Sequence, residues 1–527
     1  MEKKKIKKKV RRSGRALSYD ARMVRIRTES HALGVSKTLI VLFAVVLQLA
    51  LMLTLYIRFL MAFRWYIAVS FAFSLISCIH VLSSHRNGQS KAVWVLLLLL
   101  GFTVGYIIYY LSDERVFFGR AKRRFKRIYE RTDRFKNADT AVKTDSATER
   151  VATFLGTVGG FGAYDGTDVK YFPSGARLFD DVLERLESAE KFVFIEFFII
   201  ADGVLLTRML DILERKAGEG VDVRIIYDDL GSGRTLRRKT KKKIRASGIK
   251  LTPFNRLIPR FTVAMNYRDH RKMIVVDGKT AYTGGSNLAD EYINEKRMYG
   301  YWKDTGLRLD GAAVDAFTLM FLRQWEYVEK QEQEYEKYLS LAEKTESKSL
   351  VMPYADGLDY SKPIGKGVYE SMIASAQKRI WIMTPYFVTD DTITDLLAEK
   401  ALSGVDVRLV LPAIADKPYV YVVSRDNAER LMPSGVKVYR MEQSFVHSKI
   451  LLTDTNAVVG SINMDLRSFY QQFECAVLTD DRGALSEIES DFNDTFAESK
   501  LLGESDTKHN IVKRVITGVL RIFSPLM

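Results

Sequence analysis

Three apolar runs open the chain, over residues 38–57, 65–82 and 92–111, each close to the ~20 residues a helix needs to cross a bilayer. The first and third contain no charged residue. The middle one is interrupted by Ser70, Ser74, Ser77, Cys78 and His80, which leaves an interfacial or re-entrant path open for it. Beyond residue 150 the pattern changes, and apolar runs of strand length alternate with helical periodicity. Residues 191–200 (KFVFIEFFII) are nearly continuous apolar, as in a strand covered on both faces, and 379–388 (RIWIMTPYFV) answer them. Residues 220–226 (GVDVRII) return as 404–410 (GVDVRLV), and 247–251 (SGIKL) as 434–438 (SGVKV). Repeats in the same order indicate an internal duplication. The predicted class is therefore α/β, with two similar domains around mixed sheets, preceded by transmembrane helices.

The same shifts of pattern set the boundaries. A basic tail (1–37) precedes a membrane anchor of two or three spans (38–111) and a basic juxtamembrane linker (112–150). Two α/β domains follow, at 151–335 and 350–505, separated by a linker (336–349) and closed by an amphipathic helix (506–527). The link over 331–349 is acidic and lysine-rich without Pro or Gly, and is predicted to be an exposed helix. In the tail, Ile511, Val512, Val515, Val519, Leu520 and Phe523 share one face, with Lys513, Arg514 and Arg521 elsewhere. Such a helix suits either the bilayer interface or packing on the body.

Charge sharpens this picture. The net charge is +16, and residues 1–27 and 112–136 together account for all of it: the first holds twelve Lys/Arg against Glu2 and Asp20, the second ten against four acids. The body between and beyond nets to zero, which argues against nucleic acid as a partner. Basic flanks beside a membrane point to anionic headgroups, worth about 1 kcal/mol for each Lys or Arg near the surface. The late start of the first apolar run speaks for a permanent anchor and against a secretory signal. Both flanks on the cytoplasmic side would require an even number of crossings, so three runs leave two or three spans open. The two cysteines, Cys78 and Cys475, offer neither a disulfide framework nor metal-ligand spacing, in keeping with a reduced compartment. The oligomeric state is not legible.

Candidate chemistry lies in a doubled pattern, H-x-K-x-x-x-x-D, at His270, Lys272 and Asp277 and again at His447, Lys449 and Asp454. It uses two of only six histidines. Each copy leads to a small-residue turn ending in Asn: Gly284-Gly285-Ser286-Asn287 and Gly460-Ser461-Ile462-Asn463. On a strand His270 and Lys272 share a face and Asp277 points away. Asp277-Gly278 favours a tight hairpin, which the aspartate is expected to support. The glycines would let backbone approach a ligand. Imidazole, ammonium and short hydrogen-bond donors together suit a phosphoryl group. Covalent phosphodiester exchange needs two imidazoles, one to attack phosphorus and one to protonate the leaving alcohol, so the two motif strands should face one another. Each imidazole also needs a carboxylate or carbonyl on its other nitrogen. Asp304 and Glu474, each downstream of one motif, are the candidates.

These paired motifs resemble the phospholipase D superfamily, and most of the chain resembles its bacterial cardiolipin synthases. The synthase likeness rests on residues 266–272 (NYRDHRK), 302–308 (WKDTGLR), 384–387 (TPYF), 463–469 (NMDLRSF), 94–109 and the closing 523–526 (FSPL). The resemblance implies two phospholipase D-like domains with pseudo-twofold symmetry and a catalytic set of His270, Lys272, Asp277, His447, Lys449 and Asp454. It implies phosphoryl oxygens held by the lysines with Ser286, Asn287, Ser461 and Asn463, and histidines oriented by Asp304 and Glu474. The implied reaction uses no cofactor or metal. Phosphatidylglycerol gives a phosphatidyl-histidine and glycerol, and a second phosphatidylglycerol resolves the intermediate to cardiolipin. By analogy His270 is the nucleophile and His447 the acid, then base, although the internal symmetry alone allows the reverse. The implied location is a bacterial plasma membrane, multi-pass, with cytoplasmic catalytic domains. The neighbouring readings are a membrane-anchored phospholipase D, or a transphosphatidylase using another alcohol. Members of the family usually carry two spans, where this chain has three apolar runs.

Overall fold

Each strand of the first sheet has a counterpart at the same place in the second. The computed structural model describes residues 46–59, 64–84, 88–111, 114–136, 147–256, 267–357, 360, 362–503, 506 and 511–524. The first half contributes β1 (Thr167–Phe172), β2 (Phe192–Phe197), β3 (Asp222–Asp228), β4 (Lys250–Phe254), β5 (Lys272–Val276), β6 (Thr280–Gly284), β7 (Tyr301–Lys303) and β8 (Gly306–Gly311). The second contributes β9 (Val351–Asp356), β10 (Arg379–Met383), β11 (Phe387–Val388), β12 (Asp406–Pro412), β13 (Lys437–Met441), β14 (Ser444–Val446), β15 (Ile450–Leu452), β16 (Ala457–Gly460), β17 (Met464–Asp465), β18 (Glu474–Thr479) and β19 (Ser499–Leu501).

The first sheet runs β1-β8-β6-β5-β2-β3-β4. The second, read from its far edge, runs β9-β18-β16-β15-β10-β12-β13 with β19 added. Pair for pair the directions agree. β2 with β3 and β3 with β4 are parallel, as are β10 with β12 and β12 with β13, and the remaining matched pairs are antiparallel. The duplication read from the apolar runs is thus a duplication of topology.

Local sequence explains the elements. All six residues of β2 are buried, as its unbroken apolar run requires. The helix Gly175–Glu187 buries Leu178, Phe179, Val182, Leu183 and Leu186, one stripe at helical spacing, and Ser174 caps it by accepting from the Arg177 amide at 3.3 Å. These side chains belong to a core of the first half alone. A larger core is shared: it runs from Phe194, Met273 and Val275 of the first sheet to Tyr354, Ile382 and Cys475 of the second. Two short parallel contacts stitch the halves together, β7 on β14 and a bridge of Asp269 with Phe473.

Three expectations change. The helix of the first half ends at Glu329, where Lys330 adopts φ 61°, and no helix follows over 331–349 beyond the short turn Tyr335–Lys337. Tyr335, Tyr338 and Leu339 are buried there, so packing overrides the helical composition. The basic linker also has a structural task. Its helix Glu114–Thr132 stacks Phe125 on Tyr327 at 3.9 Å, and Arg131 pairs with Glu326 at 2.6 Å. Part of the charge assigned to headgroups is therefore spent on the protein. Third, the apolar run least suited to span, Trp65–Leu82, is a helix long and apolar enough to do so, while Val46–Phe59 covers the described part of the first run and the third run lies within the helix Gly88–Leu111. Residues 38–45 lie outside the described residues. Two serines of the middle run are bonded: the Thr103 hydroxyl donates to Ser70 Oγ at 3.0 Å, a helix-to-helix bond of the kind that lets polar side chains sit in lipid, and Ser77 Oγ donates to Phe73 O at 2.7 Å.

The C-terminal helix Ile511–Ile522 packs Leu520 against Tyr386, Val388, Val420 and Val423, and Arg521 donates to Asn427 at 2.9 Å. Val515, Val519 and Phe523 remain exposed.

Candidate active site

His270 and His447 enter the same cavity from opposite halves. Each stands just before a motif strand, β5 or β15, and each is fixed by main chain of the other half. The His270 amide donates to Phe473 O at 2.8 Å, and the His447 amide to Lys303 O at 2.7 Å. The residues that follow those carbonyl groups are Glu474 and Asp304. His270 Nδ1 lies 2.9 and 3.0 Å from the two Glu474 oxygens, and His447 Nδ1 lies 2.8 Å from Asp304 Oδ2. Both acids are fully buried. A carboxylate so placed accepts a hydrogen bond from Nδ1–H and leaves the Nε2 lone pair free.

The lysines of the motif brace this arrangement. Lys272 Nζ donates to His270 O at 2.5 Å, and Lys449 Nζ donates to His447 O. Lys449 Nζ also lies 2.8 Å from His447 Nδ1, a contact with no counterpart at His270 among the described residues. Burial, then the neighbouring lysines, push both imidazoles well below the ordinary histidine value, so they are neutral at pH 7. Burial lowers Lys272 to about 8 and Lys449 to about 7. It raises Asp304 to about 6, and Glu474 well above the usual carboxylate range. The site is a desolvated set of two imidazoles, two acids and two lysine amines whose ionisation is tuned mainly by burial.

The cavity holds about 430 Å³ and is lined by both histidines with Asn287 and Asn463. Asn287 is held by the Ile199 amide, which donates to its Oδ1 at 3.1 Å, and by the Tyr292 hydroxyl at 2.6 Å from its Nδ2. Asn463 Oδ1 is buried without a partner. The serines of the same turns do not line the cavity. Ser461 Oγ donates to Glu474 Oε2 at 2.5 Å, so it steadies the acid behind His270. Ser286 faces the helix Gly175–Glu187, where a Cβ on Gly175 would come within 2.9 Å of its Oγ. The expectation that both serines hold phosphate is corrected accordingly.

The aspartates of the motif also point elsewhere. Asp277 accepts the amides of Glu190, Lys191 and Phe192 at 2.7 to 2.8 Å, and Asp454 those of Gln377, Lys378 and Arg379 at 2.6 to 3.0 Å. They pin the starts of β2 and β10 beside the motif strands, and neither lines the cavity. Asp277 (φ 54°) and Gly278 (φ 67°) form the expected tight hairpin. Gly285 serves the site in an unforeseen way: a Cβ there would lie 2.1 Å from Asp304 Oδ1 and 2.8 Å from His447 O. The space it leaves is filled by the acid and the backbone that hold His447, and no ligand is needed to explain it.

Aromatic side chains complete the walls. Tyr292, Trp302 and Phe445 surround the His447 ring at centroid distances of 5.4, 5.3 and 5.8 Å, and Phe198 stands 5.1 Å from His270. The sequence carried a signal for two of them, since Trp302 and Phe445 stand two residues before Asp304 and His447, on the short strands β7 and β14 that lead into those residues. Tyr386, Lys417 and Arg467 line the cavity too, and no periodicity marked them. Among the described residues no group of three or more His, Cys, Asp or Glu is arranged to hold a metal.

Residues 182–298 and 369–496 match the family described as "Cardiolipin synthase, PLD-like domain". A cardiolipin synthase 2 of Bacillus cereus is 32% identical over 467 residues, covering 86% of this chain and 90% of that protein. A probable cardiolipin synthase of Bacillus subtilis is 31% identical over 463 residues, covering 86% and 92%. An uncharacterized protein of Streptococcus mutans is 35% identical over 460 residues, covering 86% and 99%. Among solved structures, a phosphatidylserine synthase of Haemophilus influenzae shares the fold, with a TM-score of 0.55 at 16% identity over 72% of this chain and 97% of its own. Joined to the two facing histidines, these matches show that the chain belongs to the bacterial cardiolipin synthases of the phospholipase D superfamily and is a phosphatidyltransferase of that type.

Proposed function

We propose that the enzyme makes cardiolipin and glycerol from two molecules of phosphatidylglycerol through a phosphatidyl-histidine. His270 Nε2 attacks the phosphorus of the first lipid. As the bond from phosphorus to glycerol oxygen breaks, His447 gives that oxygen a proton. The terminal hydroxyl of a second phosphatidylglycerol then attacks the same phosphorus while His447 takes its proton, and the bond from nitrogen to phosphorus breaks. Lys272, Lys449, Asn287 and Asn463 hold the phosphoryl oxygens through both steps, with Glu474 and Asp304 orienting the imidazoles.

One observation carries the reading: two neutral imidazoles line one cavity, each backed by a buried acid. Neutrality suits a nucleophile. The acid needs a proton, and an anionic phosphodiester entering the site raises the affinity of His447 for one.

The substrates are lipids, and the anchor is multi-pass in the plasma membrane with the catalytic body in the cytoplasm. Supporting this are the helix Trp65–Leu82, the net +6 of residues 112–136 and two cysteines that are both free. The test uses purified enzyme in vesicles containing phosphatidylglycerol labelled in its glycerol headgroup. Cardiolipin and free glycerol should appear in equal amounts. Phosphatidic acid as the main product would mean that water resolves the intermediate, and the synthase reading would fail.

A further inference from the structure

The cavity is symmetric in its reacting groups and asymmetric in its charge. Arg467 stands four residues after Asn463, and the position four after Asn287 is Glu291; both line the cavity. Duplication has thus left a guanidinium in one half where the other has a carboxylate. Lys417, at the start of the helix Pro418–Glu429, adds a second cation from the same half, its Nζ 4.9 Å from the centre of the Tyr386 ring.

Neither cation is committed to the protein. Among the described residues, the Arg467 and Lys417 side chains make no salt bridge, and Arg467 Nε is buried without a hydrogen-bond partner. Two of the acids that share the cavity are already engaged. Asp465 caps the helix Leu466–Tyr470 by accepting the Ser468 amide at 2.8 Å, and Asp416 accepts the Tyr386 hydroxyl. A buried guanidinium nitrogen left without an acceptor costs free energy until a ligand supplies one.

The transferred phosphoryl group has Asn287 and Asn463 beside the two histidines in the cavity and, under the proposed mechanism, the motif lysines, so Arg467 and Lys417 are surplus to it. The reaction, however, brings two phosphodiesters together, one at the reacting phosphorus and one in the acceptor lipid, a glycerol unit away. We infer that Arg467 and Lys417 form a second anion subsite, which holds the phosphodiester of the acceptor phosphatidylglycerol while its free hydroxyl attacks. This inference rests on the synthase reading. Water and neutral alcohols offer nothing for such a subsite to hold, so it would favour a lipid acceptor over the water always present at a membrane surface.

The experiment reads how the phosphatidyl group is divided between two acceptors. Full-length enzyme in phosphatidylglycerol vesicles is supplied with butanol, and cardiolipin and phosphatidylbutanol are measured from the same reaction. In Arg467→Gln the ratio of cardiolipin to phosphatidylbutanol should fall about 10- to 100-fold, the usual weight of a hydrogen bond to a charged group. Lys417→Gln should lower it in the same direction, and Arg467→Lys should recover part of the loss. Because Lys417 is exposed, its substitution does not threaten folding and stands as the second measurement if Arg467→Gln proves unstable. An unchanged ratio in Lys417→Gln and Arg467→Gln overturns the subsite. So does an equal loss of both products in Arg467→Gln with Lys417→Gln unchanged. Wild-type enzyme that forms phosphatidylbutanol or phosphatidic acid and no cardiolipin sinks the synthase reading itself, and the subsite with it.

Discussion

His270 Nδ1 lies 2.9 Å from Glu474 Oε1, so the histidine of the first half is oriented by a carboxylate of the second. The reverse pairing, His447 with Asp304, completes the exchange. Neither half holds the acid that its own histidine contacts, so under the proposed mechanism the two domains work as one enzyme.

Glu474→Gln and Asp304→Asn keep shape and burial but remove the charge that sets the imidazole tautomer. Each should lower kcat by about 10² to 10⁴, as for the aspartate of a serine protease triad, with a much smaller change in KM. Steady-state kinetics on mixed vesicles reads the split. A loss confined to KM would show that the acids bind substrate and leave the histidines alone.

The two histidines are separable by leaving group. On phosphatidylglycerol both His270→Ala and His447→Ala should be inactive. A phosphatidyl ester of p-nitrophenol needs no proton to depart, so His447→Ala should release p-nitrophenol from it while His270→Ala remains inactive. If His270→Ala were the active variant, the two roles would be exchanged.

Asp277 should act on stability before chemistry. Asp277→Ala leaves three backbone amides at the start of β2 without an acceptor, a cost of about 2 to 4 kcal/mol. Denaturant unfolding of the detergent-solubilised enzyme should show it. The kcat of the fraction that remains folded should fall far less than in Glu474→Gln, and an equal fall would place Asp277 in the chemistry.

The pH profile follows from the lysines. Burial lowers Lys272 to about 8 and Lys449 to about 7, so both are cationic below those values and neutral above them. In the free enzyme, kcat/KM toward an anionic lipid should therefore decline as pH rises through this window. On the other side Asp304 takes up a proton below about 6, and the hold on His447 is lost. The outcome is a bell, and Lys449→Met, whose group has no charge to lose, should shift its alkaline limb. An alkaline limb identical in wild type and Lys449→Met would remove this lysine from the titration.

Much of this was legible before any coordinates. Apolar runs recurring in one order implied two copies of one α/β unit, and the strand orders agree element by element. The H-x-K-x-x-x-x-D spacing marked where each motif strand begins: His270 stands two residues before β5 and His447 three before β15, so strand alternation does not set the histidines' direction. The Asp-Gly hairpin followed from turn preferences, which are local. Less was legible where distant parts decide. Residues 331–349 have helical composition, yet Tyr335 and Tyr338 are drawn into the core and no long helix forms. Ser461 and Asn463 looked equivalent as donors, but one binds Glu474 and the other lines the cavity.

What the sequence determined by itself was whatever depends on near neighbours: the elements, their duplication, and the reactive residue types on each motif strand. What the tertiary structure decided was partnership. Which acid serves which histidine depends on β7 pairing with β14 and on Asp269 bridging Phe473, contacts between segments far apart in the chain. The lowered charge of the lysines and imidazoles likewise arises only when both sheets close over them and exclude water. Periodicity reports which face of a strand is covered, and carries no information about what covers it.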